Sequence, residues 1–184
     1  MESLEEVRER VRSLGLDTVE ALAGGRLYVC LSKRVRVSTS IVGRIDVSSE
    51  LEGLTCVDGA LEVYVGIVKR VSGGEEVRGI EILREPYSEV LLEYVARLAV
   101  SMSGASSIRI AHREGFALPG EPMLFIACCA ETRYAARECV SRALDLIKLL
   151  TPLTKVEVLA DGSRRILVAG LRIPIERASP SRSP

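Results

Sequence analysis

The fold is decided by a stretch that reads MLFIACCA at residues 123–130 and continues as ETRYAARECVSRALDLIKLL at residues 131–150. The first part is an apolar run, which predicts a buried strand. The second part predicts a long helix, which Thr151-Pro152 ends because the residue before a proline is disfavoured in helical geometry. The stretch therefore predicts a buried strand followed by the second of two long helices.

Outward from this stretch, the chain alternates groups of strands with helices. Pro86 opens the other long helix, Tyr87–Met102, whose predicted inward stripe consists of Val90, Leu91, Tyr94, Leu98 and Met102. An amphipathic helix is predicted at residues 3–14, and Asp46 or Ser48 caps a short helix that ends at Leu54. The predicted strands are residues 26–31, 34–39, 60–71, 76–84, 107–113, 153–160 and 165–171. This order predicts an α+β fold, without the glycine motifs of dinucleotide-binding or P-loop proteins.

The composition narrows the class of protein. Hydrophobic residues make up 47% and charged residues 27% of the 184-residue chain, which is enough apolar mass for a core. The formal net charge of +0 disfavours nucleic-acid binding, and no apolar run is long enough to cross a membrane. A charged N-terminus without a signal-peptide core predicts a cytoplasmic protein. The chain has no Asn or Gln, and 21 of its 25 basic residues are Arg, which fits either a thermophile or a GC-rich genome.

The cysteines and the single histidine indicate no metal site. The five cysteines contain no C-x-x-C motif, and His112 has no cluster of acidic residues at ligand spacing. Cys128 and Cys129 are adjacent in the apolar strand, where buried small hydrophobic residues are favoured over a redox pair. A Cys30–Cys56 bridge remains open for a hyperthermophilic source. For His112 alone, a structural role at a strand end is favoured over catalysis.

Positively charged residues form the more informative pattern. Lys148 ends the second long helix and Lys155 follows seven residues later, whereas Arg133 begins that helix. Fifteen residues correspond to about 1500° of helical rotation, so Arg133 and Lys148 lie about 60° apart, on one side of the helix at opposite ends. Arg133 could join the helix N-terminus in holding an anion. Lys69 lies on the apolar face of the strand predicted at residues 60–71, where a cation is costly unless it faces a pocket. For each of these positively charged residues, the alternative is a solvated charge on the surface.

Three motifs give the segment from about Val35 to Leu171 a family resemblance. The loop HREGFALPGEP at residues 112–122 resembles the pattern H-R-x-G-x-L-x-x-G-[ED], with Arg113, Gly115 and Gly120 at its fixed positions. Asp145 to Lys148, followed by Pro152, Lys155 and Glu157, resembles D-x-L-K-x-x-x-P-x-W-K-x-E, and Gly66 to Lys69 resembles G-x-V-R. With these motifs at matching spacing, the segment resembles the large, catalytic subunit of molybdopterin synthase.

The resemblance implies a fold, a reaction and partners. The implied fold is an α/β hammerhead with an antiparallel sheet and two long helices, assembled as a homodimer within a heterotetramer. The implied reaction transfers sulfur from the C-terminal thiocarboxylate of a small ubiquitin-like partner to cyclic pyranopterin monophosphate, forming molybdopterin without a metal or a cofactor. Lys148 and Lys155 are the implied catalytic residues, since a lysine in a cationic pocket can lose its proton and an arginine cannot. Arg133, Lys69 and Thr132 are implied to bind the substrate, and His112, Arg113, Gly115 and Gly120 to form a structural signature.

Three departures from the family pattern keep a second hypothesis open. Thr132 stands where the family has a histidine, Thr154 where it has a tryptophan, and Lys69 where it has a strand arginine. The resemblance therefore implies either a molybdopterin synthase, divergent or impaired at Thr132, or a non-catalytic dimeric binding protein on the same fold. We divide it into an N-terminal extension of unknown role at residues 1–33, the catalytic-subunit-like domain at residues 34–173 and a flexible tail at residues 174–184.

Overall fold

The structure is a computed structural model, and it describes residues 16–23, 26–33, 35–168 and 171–175. The helix predicted at residues 3–14 and residues 176–184 of the predicted tail lie outside the described residues. Pro174 and Ile175, which the sequence assigns to the flexible tail, belong instead to a paired strand. Within the described ranges, the chain forms strands and helices whose order matches an α+β fold. The strands are β1 (Leu16–Ala23), β2 (Arg26–Lys33), β3 (Arg36–Val42), β4 (Ala60–Ile67), β5 (Val71–Ser72), β6 (Glu75–Arg84), β7 (Ser107–Arg113), β8 (Gly115–Ala117), β9 (Pro122–Ala130), β10 (Leu153–Leu159), β11 (Arg164–Val168) and β12 (Leu171–Ile175). The helices are α1 (Val47–Glu52), α2 (Ser88–Ser103) and α3 (Arg133–Leu150).

The central sheet has the strand order β3-β7-β9-β4. Strand β3 runs parallel to β7, whereas the other neighbouring strands are antiparallel. The sheet is therefore mixed, although the resemblance implies an antiparallel sheet. Helices α2 and α3 cover one face and form the main core with the buried strand β9. The opposite face holds a smaller cluster of Ile45, Ala111, Phe125 and Ala127. Burial on both faces explains why β9 is apolar throughout rather than alternating.

A second sheet is built mainly from the hairpins that follow the two strongest turn signals in the sequence. Its order is β12-β11-β10-β6-β5, with β8 also pairing with β6. Gly73 and Gly74 adopt positive φ between β5 and β6, and Gly162 does so between β10 and β11. Val68, Ile80, Ile82, Ala117 and Leu153 form the buried centre of this sheet. Strand β10 follows α3 directly, which brings the C-terminal end of that helix against the second sheet.

The caps of the helices follow the sequence closely. The Asp46 side chain accepts a hydrogen bond of 3.0 Å from the Ser49 amide, so Asp46 is the cap of α1. Thr132 caps α3 in the same way, by accepting from the Ala135 amide at 3.2 Å. Gly104 ends α2 in the left-handed conformation.

The predicted inward stripe of α2 is wrong. Val90 and Met102 are exposed, and the buried face carries Leu92, Val95 and Ala99 with their neighbours. Helix α2 is apolar on more than one side, so periodicity alone does not identify the packed face. The small side chains of Ala96 and Ala99 allow close approach in the main core, and this selects the buried face.

Two strands have other bounds than the sequence predicts, and the Cys30–Cys56 disulfide does not form. The strand predicted at residues 60–71 ends at Ile67, so Lys69 lies in the connection to β5. The strand predicted at residues 165–171 is two strands, β11 and β12, which pair with each other. Cys56 is bonded to Cys129, which excludes a Cys30–Cys56 bridge in this structure. Cys128 is buried, in agreement with the prediction of a small hydrophobic residue, whereas the same prediction is wrong for Cys129, which is bonded to Cys56. Cys139 of α3 is buried as well.

Candidate active site

A cavity of about 330 Å³ lies where the C-terminal end of α3 meets the second sheet. Its walls come from α3, the segment at residues 151–153, the connection that holds Lys69, and strands β4 to β7 and β9 to β12. The α+β arrangement creates it because Pro152 stops α3 and the chain returns immediately as β10. Four of its lining residues are cationic: Lys69, Lys148, Lys155 and Arg172. The structure therefore brings Lys69, which is distant in the sequence, together with Lys148 of α3 and Lys155 of β10.

The charges of these four residues are not neutralised within the described part of the chain. None of them forms an ion pair with a carboxylate among residues 35–168 and 171–175. Glu157 also lines the cavity, but its carboxylate accepts from Arg165 Nε at 2.5 Å. A smaller cavity of about 140 Å³ beside Cys56 and Cys129 differs, because its Arg36 and Arg109 face Asp58 and Glu50. The 330 Å³ cavity is thus better suited to an anionic ligand than the cavity beside Cys56 and Cys129.

Lys155 has the most perturbed environment of the cavity lysines. It occupies the middle of β10, opposite Ile82 of β6 and Leu167 of β11, and its side chain is half-buried. Burial lowers the pKa of Lys155 to about 8, and the positive charge of Lys148 acts in the same direction. At pH 7, about a tenth of Lys155 is therefore a neutral amine, which can accept a proton.

Lys148 lies in the last turn of α3, at the negative end of the helix dipole. Its backbone carbonyl accepts a hydrogen bond of 3.2 Å from Thr151 Oγ1, and Thr151 closes the helix in the left-handed conformation. Its side chain is exposed at the cavity. The helix end therefore presents a charged ammonium group beside the partly neutral amine of Lys155.

His112 is a buried wall of the same cavity. Its Nδ1 atom lies 2.9 Å from the carbonyl oxygen of Arg113, so Nδ1 carries the proton and donates it. Its Nε2 atom is buried and has no hydrogen-bond partner among the described residues. Burial lowers the pKa of His112 to about 3, with a further contribution from Lys155, and the imidazole is therefore neutral. The sequence predicts a structural residue at a strand end, and the structure adds that His112 borders the cavity.

Arg113 organises the loop that follows His112. Its guanidinium donates to Glu121 at 2.9 Å and to the Phe116 carbonyl at 2.7 Å. The Glu121 carboxylate also accepts from the Leu118 amide at 2.8 Å. Gly115 and Gly120 both have positive φ, a conformation that favours glycine. These contacts close the loop on itself, next to the β6–β8 pairing.

The structure does not bring Arg133 and Thr132 to this cavity. They lie at the N-terminal end of α3, about 22 Å from Lys148 at 1.5 Å of rise per residue. Arg133 is exposed, donates to the Tyr134 hydroxyl at 2.9 Å and lies 4.8 Å from the centroid of the Tyr134 ring. Within one chain, Arg133 and Lys148 therefore cannot contact the same small ligand.

Sequence reasoning missed Arg172. This residue lies in β12, where its Nε donates to Ser72 Oγ at 3.1 Å, and both residues line the cavity. A single predicted strand at residues 165–171 leaves Arg172 just beyond its end, without an assigned place. The alternation of Leu171, Ile173 and Ile175 is the signal that could have revealed a separate strand.

No described helix is both long enough and apolar enough to span a membrane. Among the described residues, no group of three or more His, Cys, Asp or Glu side chains is placed to hold a metal ion.

The site and fold define a class: an α+β protein with a cationic, partly desolvated cavity between a helix end and a second sheet. Comparison with known proteins supplies the family. Residues 43–149 match the family model described as MoaE protein. The molybdopterin synthase catalytic subunit of Pseudomonas aeruginosa is 33% identical over 107 residues, which are 58% of this chain and 71% of that protein. The corresponding subunit of Caulobacter vibrioides is 28% identical over 109 residues, 59% of this chain and 71% of that protein.

Solved structures agree with this assignment. A molybdopterin biosynthesis MoaE protein from Burkholderia ambifaria aligns with a TM-score of 0.60 at 25% identity, covering 75% of this chain and 92% of that one. A molybdopterin synthase from Staphylococcus aureus aligns with a TM-score of 0.61 at 22% identity, covering 67% and 91%, and shows the same fold. The chain belongs to the MoaE family, the catalytic subunits of molybdopterin synthase, and thus to molybdenum cofactor biosynthesis.

Proposed function

We propose that this protein transfers sulfur from the C-terminal thiocarboxylate of a small ubiquitin-like partner to cyclic pyranopterin monophosphate, forming molybdopterin. The observation that carries the proposal is the pairing of Lys155, with a pKa lowered to about 8, and Lys148 in one cationic cavity. A cyclic phosphate and a thiocarboxylate are both anions, and the cavity has cations without carboxylate partners among the described residues to receive them.

We assign the two lysines different tasks. Lys155, in its neutral form, accepts or relays the protons that sulfur attack and ring opening release. Lys148 remains exposed at the helix end and faces the terminal carbonyl of the partner, where its ammonium group donates a proton as negative charge develops. Lys69 and Arg172 hold the anionic groups of the ligand. None of these tasks requires a resident metal ion.

The assembly we propose is a homodimer that binds two copies of the small partner. Strand β4 is an edge strand of the central sheet, and its Leu61, Val63 and Ile67 are exposed. An exposed apolar edge of this kind favours pairing with another chain. Arg133 and Thr132, which cannot reach the cavity of their own chain, could act only at the cavity of a second copy. Sedimentation at micromolar concentration tests the dimer, and a monomer would contradict it.

We place the reaction in the cytoplasm of an organism that grows at high temperature. The absence of Asn and Gln, which are thermally labile, supports the second part of this proposal.

The decisive experiment mixes the purified chain with a thiocarboxylated small partner and cyclic pyranopterin monophosphate and measures molybdopterin. We expect molybdopterin from the wild type and near-normal activity from Arg142→Ala, a control on α3 whose guanidinium contacts only the neighbouring Glu138 among the described residues. Failure of the wild type to form any product, while it still binds the partner, would overturn the enzyme assignment.

Binding of the partner without formation of product corresponds to the alternative function, a non-catalytic dimeric binding protein. The departures at Thr132 and Thr154 motivate it, but both side chains have local contacts in the structure. Thr132 caps α3, and Thr154 Oγ1 donates to Glu85 at 3.1 Å. Because these threonines serve the fold, their presence does not by itself indicate loss of the reaction, and the enzyme remains the favoured function.

A further inference from the structure

We propose that Cys128 and Cys139 form a second disulfide, which covalently joins β9 to α3. Their Sγ atoms are 2.6 Å apart, and both residues have 0% exposure. That separation is only about 0.6 Å longer than an S–S bond of about 2.05 Å. It is also too short for two thiols in ordinary contact, because a thiol is a weak hydrogen-bond donor and a weak acceptor.

The surrounding structure keeps the two sulfur atoms together. Cys128 lies on the helix-facing side of β9, and Cys139 lies on the buried stripe of α3 beside Ala136 and Ala143. These alanines let the helix approach the sheet closely. The adjacent residue, Cys129, points to the opposite face of the sheet and is bonded to Cys56. With both bonds formed, β9 is tied to α3 on one face and to the loop after α1 on the other.

The oxidation balances with a simple co-reactant. Each thiol loses one proton, the two sulfur atoms form a bond, and two electrons reduce an acceptor disulfide of a small thiol or of a protein to two thiols. Both thiols have 0% exposure, so an external disulfide cannot reach either sulfur atom and the folded pair reacts slowly. The bond therefore forms before α3 closes onto the sheet, and once formed it is protected from reductants in the folded protein.

Peptide mapping tests the cross-link directly. The full chain is refolded with oxidised glutathione, its free thiols are alkylated in denaturant, and it is digested with trypsin without reduction. Trypsin separates Cys56 (residues 45–69), Cys128 with Cys129 (residues 114–133), Cys139 (residues 138–142) and Cys30 (residues 27–33). We expect the first three peptides to be linked in one cluster, and the Cys30 peptide to be alkylated. A cluster of only two peptides, with Cys139 alkylated, overturns the proposal.

Two variants show whether the two links are independent of each other. In Cys56→Ser, the peptide of residues 114–133 must remain linked to that of residues 138–142, since only the other bond is removed. In Cys139→Ala, the peptide of residues 138–142 must leave the cluster, and the Cys56–Cys129 link must remain. Loss of the residues 138–142 link in Cys56→Ser would show that Cys128 and Cys139 have no bond of their own, and would overturn the proposal.

Thermal unfolding measures what the bond does for the fold. Closing a loop between residues 128 and 139 restricts the unfolded chain, and we expect oxidised Cys139→Ala to unfold roughly 5–10 °C below the oxidised wild type. After full reduction in denaturant and refolding under reductant, the difference should shrink to the smaller effect of losing one buried sulfur. An equal difference in both conditions would assign the whole effect to packing and contradict the covalent link. The sulfurtransferase assay does not enter this test, so it stands apart from the proposed function.

Discussion

Lys155 and Arg165 lie on neighbouring strands of the same sheet, but only Arg165 has carboxylate partners for its charge. Arg165, on β11, donates to Glu157 at 2.5 Å, to Glu75 at 2.6 Å and to the Ser72 carbonyl at 2.7 Å. Lys155, on β10, has no described carboxylate partner, and burial lowers its pKa to about 8. Arg165 is thus an ion-paired residue that links neighbouring strands, whereas Lys155 is a cation without a described carboxylate partner.

The difference explains why a chain that uses Arg for almost all its basic residues has Lys in the cavity. A guanidinium keeps its proton in every accessible environment, which suits a structural ion pair. An ammonium group loses its proton when it is desolvated, which suits proton transfer. At Arg165 and Lys155, the residue type therefore matches the presence or absence of a carboxylate partner.

The largest expected effect is on catalysis when the lysines become arginines. Lys155→Arg and Lys148→Arg keep the positive charge but cannot release a proton, so we expect molybdopterin formation to fall about 10²–10⁴-fold. Affinity for the small partner, measured alongside, should change little. Near-normal turnover in both variants would reduce the role of these residues to electrostatics.

The next largest effect is on stability, when the ion pairs of Arg165 are removed. Arg165→Met leaves the carboxylate of Glu157, which is 2% exposed, without its partner, and we expect a loss of about 3–5 kcal/mol in the free energy of unfolding. Arg164→Met is the matched control, because the Arg164–Glu81 pair is exposed and should contribute less than about 1 kcal/mol. Urea denaturation measures both, and equal losses would contradict the contrast between buried and exposed pairs.

A smaller effect is expected at His112, the buried cavity wall. His112→Ala should lower the free energy of unfolding by about 2 kcal/mol at pH 7, while the folded variant keeps most of its activity. Since the folded-state pKa of His112 is about 3, against 6.5 for the free side chain, the wild type should lose stability as the pH falls from 6.5 towards 3. The gap between wild type and variant should therefore narrow in acid. Complete loss of activity at an unchanged melting temperature would show that His112 belongs to the reaction.

The smallest effect has the opposite sign. Lys155→Met removes a desolvated cation, so we expect slightly higher stability at pH 7, by less than about 1 kcal/mol. The cost of Lys155 in the wild type is complete below pH 8 and disappears by pH 10.5, because the folded state holds fewer protons than the unfolded state between those values. Thermal unfolding at pH 7 and pH 10 should show the advantage of the variant shrinking. A variant that is less stable at both pH values would contradict an uncompensated charge.

Local signals in the sequence determined most of the secondary structure. Strand β7 and the bounds of β9 and α3 follow from apolar runs and from Pro152, and the two hairpins follow from Gly73-Gly74 and Asp161-Gly162. The motifs around Lys69, Lys148 and Lys155 also indicate the family from residue identity and spacing alone. These features are readable because each depends on residues that are close in the chain.

Tertiary structure alone decided which of these elements meet. Nothing local specifies that β3 runs parallel to β7, that Cys56 pairs with Cys129 across 73 residues, or that α2 buries Leu92 rather than Val90. The same applies to Arg172, which reaches the cavity through the pairing of β12 with β11. The sequence determined the chemistry that each segment carries, and long-range packing determined which chemical groups share a cavity, because strand order and helix orientation depend on the burial of surfaces far apart in the chain.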